Sequence, residues 1–152
     1  MTEFHYTGYA QEVIFSAGAL SQLGEAVGRF GWRRLMLCAS GSARRAGHVA
    51  QLEAALGDWL VAIYDHVQPH VQDSQVAEAL ALAVQQEVDA VIGLGGGSPI
   101  GMAKAVAAAL EEKRIGQPAR AAFPTEQPLI PVIAIPTTYA GSEMTSVYGV
   151  TR

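Results

Sequence analysis

The stretch Ala90-Val91-Ile92-Gly93-Leu94-Gly95-Gly96-Gly97-Ser98-Pro99-Ile100-Gly101-Met102-Ala103-Lys104 constrains the fold more than any other, because a short apolar run breaks at glycines and restarts as a helix. Val91, Ile92 and Leu94 suit a strand buried on both faces, as in a parallel sheet. Gly95, Gly96 and Gly97 let the backbone turn with positive φ and approach a ligand without Cβ interference. Ser98 reads as the N-cap of the next helix and Pro99 as its first residue, where a missing N–H costs nothing. Free N–H groups and the positive end of the helix dipole then meet at residues 96–100, an anion site suited to a pyrophosphate. The spacing is neither G-x-G-x-x-G nor a P-loop, so the glycines alone also fit a plain tight turn.

The rest of the chain repeats the alternation. Residues 4–16, with Phe4, Tyr6, Tyr9, Val13, Ile14 and Phe15, predict one or two short strands split around Gly8, as a hairpin or an edge addition. Leu20, Leu23, Val27 and Phe30 recur at helical spacing over 19–30, and Gly31 ends that helix. A buried strand at 34–39, a turn at 40–42, a helix marked by Val49, Leu52 and Leu56, and a strand at 59–64 follow. After a loop at 65–73 come a helix carrying Val76, Leu80, Ala83 and Val84 and the strand at 89–94. A helix over 99–112, a proline-containing loop over 113–128 and a buried strand over 129–135 complete the series. The order predicts an α/β domain, a Rossmann-like parallel sheet with helices on both faces. Ligands on such sheets bind beyond the carboxyl ends of the strands, which aligns Ser40, residues 65–69, Gly95 to Ser98 and the segment after 135 along one edge.

That last segment reads Pro136-Thr137-Thr138-Tyr139-Ala140-Gly141-Ser142-Glu143-Met144-Thr145. Its hydroxyls suit phosphate and ribose oxygens, although Ser142 or Thr145 would also serve as a helix cap. Val147 to Thr151 begins another apolar alternation, and a chain that stops inside a strand reads as the front part of something longer.

The 152 residues fit one domain, and with half of them hydrophobic and 16% charged the chain is globular. Ten Lys and Arg against 14 Asp and Glu, with no basic run, argue against a nucleic-acid partner. The lone Cys38 sits in an apolar run as a small core residue, with no partner for a disulfide. No signal-peptide layout and no apolar segment of about 20 residues are present, so the expected compartment is the cytoplasm, with no membrane partner.

Gly95-Gly96-Gly97-Ser98 with Lys104, and Pro136-Thr137-Thr138 with Gly141-Ser142-Glu143, together resemble the iron-containing (group III) alcohol dehydrogenase superfamily. Within it the chain resembles the maleylacetate reductase branch, in the short Pro-Thr-Thr-Tyr-Ala-Gly-Ser-Glu-Met-Thr segment and in Gly101, where most of the superfamily has aspartate. The resemblance covers essentially all 152 residues. It implies a dehydroquinate synthase-like amino-terminal nucleotide-binding domain over 1–152, followed in the whole enzyme by a helical carboxyl-terminal domain that holds any metal ligands and much of the substrate pocket. It implies reduction of maleylacetate, an unsaturated oxo-dicarboxylate, to 3-oxoadipate in aromatic-compound degradation, with NADH or NADPH, in a homodimer.

Carried over, the resemblance gives Gly95, Gly96, Gly97 and Ser98 to the pyrophosphate, and Thr137, Thr138 and Thr145 to phosphate, ribose or the nicotinamide side. Ser40 would meet the adenine ribose, where an acidic residue is common, and Arg44 and Arg45 close behind suggest that NADPH is tolerated. His66 and His70 lie in a loop, which does not support metal ligation, and could contact adenine or substrate carboxylates. Lys104 either reaches back toward the site or lies on the surface, and Glu143 braces the Thr loop through backbone N–H groups. No residue is identified as catalytic. A nucleotide domain acting on alcohols or aldehydes, and a catalytically silent nucleotide-binding module, are the alternatives.

Overall fold

In the computed structural model, which describes residues 11–119 and 127–151, four parallel strands lie in the order β2-β1-β3-β4. They are β1 (Leu35–Ala39), β2 (Leu60–Tyr64), β3 (Ala90–Gly95) and β4 (Val132–Pro136). Every residue of β1 and β3 is buried, as their unbroken apolar runs require. Side chains alternate between two cores. Met36, Cys38 and Val91 face α4 (Asp73–Gln85) and α5 (Gly97–Ile115), whereas Leu35, Leu37, Ile92 and Leu94 face α1 (Leu23–Phe30) and α3 (His48–Leu56). The expected α/β sheet with helices on both faces is therefore present.

The chain leaves β1 toward β2 over one face, through α2 (Gly41–Arg45) and α3, and returns across the other face through α4 to β3. That reversal puts a topological switch point between the carboxyl ends of β1 and β3, where open α/β sheets bind ligands.

Several local expectations differ from the structure. Residues 4–10 lie outside the described residues, and 11–15 form no strand, with Phe15 fully exposed. Residues 19–22 form a 3-10 turn ahead of α1, and Phe30 stacks on Trp32 at 4.6 Å between ring centroids instead of joining the core. Residues 41–45 are a short helix, not a turn, because the Ser40 hydroxyl accepts a bond from the Ala43 N–H at 3.3 Å. Helix α5 continues to Ile115, where left-handed Gly116 ends it, and much of the loop expected to follow lies outside the described residues. Residues 147–150 form no strand; the backbone pairs only at Thr151, which bonds to Val71 and Asp73 ahead of α4.

Candidate functional site

At the switch point lies a cleft of about 490 Å³ whose lining comes from three strand ends. Ser40, Gly41, Ser42 and Arg45 follow β1, residues 66–69 follow β2, and Gly96, Gly97, Ser98 and Pro99 follow β3. Thr137, Thr138 and Thr145 do not line it. Thr138 nonetheless stands against the glycine turn, with its Oγ1 3.4 Å from where a Cβ on Gly96 would lie. The Thr137 N–H bonds to the Gly95 carbonyl at 2.9 Å, which ties the hydroxyl segment to β3. Thr145 is exposed, and its Oγ1 accepts from the Val147 N–H at 3.3 Å.

The glycine turn departs from its sequence reading in its details. Only Gly95 has positive φ, at 138°, with Pro99 Cγ 3.0 Å from the position of an added Cβ. Gly96 is the cap of α5 and Gly97 its first residue, so Ser98 and Pro99 sit inside the first turn rather than at its edge. The N–H groups of Gly97 and Ser98 thus have no intrahelical partner, and both residues line the cleft. Instead of capping the helix, the Ser98 Oγ accepts from the His70 N–H at 3.1 Å and keeps its own hydrogen free to donate. Donors without carbonyl partners, an unhindered backbone and a neighbouring hydroxyl fit an anionic phosphate chemically.

The loop behind β2 is held by a residue that the apolar periodicity passes over. Buried Gln75 on α4 accepts from the Gln68 N–H at 3.0 Å and donates to the His66 carbonyl at 3.1 Å. Its only sequence signal is a polar side chain beside the apolar stripe of Val76, Ala79 and Ala83. The same loop crowds Gly101: a Cβ there would approach Val71 Cγ2 to 3.0 Å, so an aspartate would need the Val71 side chain to give way by a few tenths of an ångström.

Lys104 is buried and reaches the far loop. Its Nζ donates to the carbonyl of Ser142 at 2.5 Å, the Ser142 hydroxyl at 3.3 Å and the Val147 carbonyl at 3.1 Å. Burial lowers its pKa, opposed by the Glu143 charge. The expected bracing of backbone N–H groups by Glu143 is not seen: its Oε2 is shielded from water and has no partner among the described residues. His66 and His70 do lie in a loop, with the His66 ring against Tyr64 at 4.1 Å. Among the described residues no three His, Cys, Asp or Glu side chains converge. No helix among them is long and apolar enough to cross a membrane.

Comparison with known proteins matches this geometry to one family. The iron-containing alcohol dehydrogenase profile matches residues 10–152. Maleylacetate reductase 1 of Rhodococcus opacus is 36% identical over 150 residues, covering 99% of this chain and 36% of the relative. Maleylacetate reductase of Pseudomonas aeruginosa is 37% identical over 141 residues, covering 92% and 34%. Among solved structures, maleylacetate reductase from Rhizobium sp. strain MTP-10005 superposes with a TM-score of 0.74 at 27% identity, over 94% of this chain and 35% of that one. An iron-containing alcohol dehydrogenase from Corynebacterium glutamicum gives 0.77 at 32%, over 100% and 36%. The chain spans about a third of the length of the curated relatives it matches. Because that profile spans nearly the whole chain, from residue 10 to 152, the chain belongs to the iron-containing alcohol dehydrogenase family.

Proposed function

We propose that this chain is the cofactor-binding domain of an oxidoreductase that reduces maleylacetate to 3-oxoadipate with NADH or NADPH. The observation that carries the reading is the glycine turn at the switch point with Thr138 packed beside it, in a chain whose relatives of 36% and 37% identity are maleylacetate reductases. The N–H groups of Gly97 and Ser98 and the Ser98 hydroxyl hold the pyrophosphate, with Gly95 and Gly96 giving it room. Ser40 faces the adenine ribose, and Thr137, Thr138 and Thr145 serve the far phosphate, the second ribose or the nicotinamide side. When bound, the nicotinamide would supply a hydride to the substrate alkene.

Charge on the conjugated carbonyl oxygen would then need a donor. Lys104 is not that donor, because its three N–H bonds are already directed at Ser142 and Val147. Metal ligands and the rest of the substrate pocket belong to parts of the enzyme beyond these residues, and the working form is a cytoplasmic homodimer. A panel of maleylacetate, aldehydes and alcohols, run on the full-length protein with both cofactors, tests the reading. Oxidation of NADH or NADPH that depends on maleylacetate is the expected result. Turnover confined to alcohols or aldehydes would move the substrate elsewhere in the family, and no nucleotide binding would remove the oxidoreductase reading altogether.

A further inference from the structure

Two adjacent arginines behind Ser40 have opposite surroundings. Arg45 lines the cleft with Ser40 and Ser42, and its Nη1 lies over the backbone of Gly41, 3.3 Å from where a Cβ would stand. Among the described residues it makes no ion pair. Arg44 does not line the cleft, and its Nε is paired with the Asp65 carboxylate. Asp65 directly follows β2, next in the chain to His66 of the cleft lining, and since Cys38 is in register with Tyr64, it continues that register beside Ala39. The position after β1, adjacent to the glycine-bearing β3, is where dinucleotide-binding sheets place an acid to accept from the ribose 2′-hydroxyl. Here that position is an uncharged serine whose hydroxyl is engaged with Ala43 and Ser42.

We propose that Arg45 and Asp65 set the dinucleotide preference of this cleft, with Arg45 as the cation for a 2′-phosphate and Asp65 as the restraint that withholds Arg44 from it. The inference rests on the cofactor reading above and adds residue roles to it. A guanidinium recognises phosphate through paired N–H bonds, and an arginine with no carboxylate partner loses nothing in turning to it. Arg44 would have to give up Asp65 first, and would leave behind a carboxylate that repels the incoming phosphate. Asp65 thereby moderates an NADPH preference that Arg45 creates.

The test is titration of the full-length protein with NADPH and with NADH, read by nicotinamide fluorescence, and with 2′,5′-ADP and 5′-AMP as competing probes. The readout is the ratio of the two affinities on one protein sample, which partial unfolding of a variant leaves unchanged. R45M is expected to lower the NADPH-to-NADH ratio by about tenfold, the weight of one charge-assisted phosphate contact. D65N is expected to raise the ratio, by removing a negative charge and releasing Arg44, and R44M to lower it by unmasking Asp65. The 2′,5′-ADP-to-5′-AMP ratio should follow in the same order. Binding of both dinucleotides with a ratio that R45M and D65N leave in place would overturn this proposal alone. Binding of neither would overturn the cofactor reading and this proposal with it.

Discussion

Lys104 brings an ammonium group to a place that is 9% exposed, and burial pulls its pKa down despite the nearby carboxylate of Glu143. What holds it there is a set of acceptors 38 and 43 residues further along the chain. Two of the three are backbone carbonyls, which every residue possesses, so no sequence pattern could have shown where the side chain goes. Cys38, by contrast, is legible from its apolar run, and its burial has a measurable consequence. Burial pushes its thiol from 9.0 up to about 12. Below pH 9.0 the thiol is protonated in both folded and unfolded chains and contributes no pH dependence. Above it the unfolded chain releases a proton that the folded chain keeps, so stability falls by about 1.4 kcal/mol per pH unit. Tyr64, raised from 10.0 by burial and its bond with Glu78, adds a fall of the same sign at higher pH, while the lowered Lys104 contributes the opposite slope. Urea unfolding of the wild type and Cys38→Ala at several pH values between 9.0 and 10.0 isolates the thiol, since the other groups are common to both. The wild type should lose stability across that window relative to the variant; parallel curves would contradict the assignment.

At the level of elements, the β3–α5 unit decides the site, and its outline was readable: apolar run, glycines, helix. Which glycine the geometry needs was not. The triple glycine draws attention in the sequence, yet a Cβ on Gly97 would meet only Ala140 Cβ, at an ordinary 3.9 Å. Gly95 is held by its positive φ and by Pro99, but the tightest contact is two residues before the triplet. A Cβ on Gly93 would lie 2.8 Å from Ile100 Cα, 3.0 Å from the Pro99 carbonyl oxygen and 3.1 Å from Ala103 Cβ, so α5 crosses β3 at backbone distance. Neither the strand nor the first helical turn can yield without disturbing the cleft. Gly93→Ala is therefore expected to cost about 1–3 kcal/mol or more by overpacking, whereas Gly97→Ala stays close to wild type in stability. Denaturant midpoints of the two variants check this, and equal losses would show that the requirement belongs to the turn rather than to the crossing. The misplaced cap has a similar origin: Ser98 and Pro99 are strong helix-start residues, but Gly96 already has extended backbone, and the helix begins one residue before the serine.

Across the whole molecule, burial is lopsided. Every residue of β1 and β3 is buried, while no residue of β4 is, and Tyr139, Met144, Val147, Tyr148 and Val150 beyond it are exposed. The periodic signal specified the parallel sheet and its helices because each strand there alternates with a helix that covers it. The same signal over 147–151 suggested a further strand, but apolar alternation reports only that a segment could pair, and pairing depends on an edge elsewhere in the chain. The segment instead makes one bridge, from Thr151 to Gln72. The candidate site straddles this divide, with its cleft on the β1–β3 side and Thr137 and Thr138 on the other. Local stability should follow burial, so amide exchange in the free protein is expected to be slowest over 35–39 and 90–95 and markedly faster over 132–151. NADPH, if it spans the glycine turn and the hydroxyl segment as proposed, should slow exchange most around 137–145, where protection is low to begin with, and little in β1. Exchange in β4 as slow as in β3 without ligand would mean that the half-covered edge is as firmly held as the centre of the sheet. Added protection confined to the cleft lining, with none at Thr137 or Thr138, would mean that the hydroxyl segment has no part in holding the nucleotide.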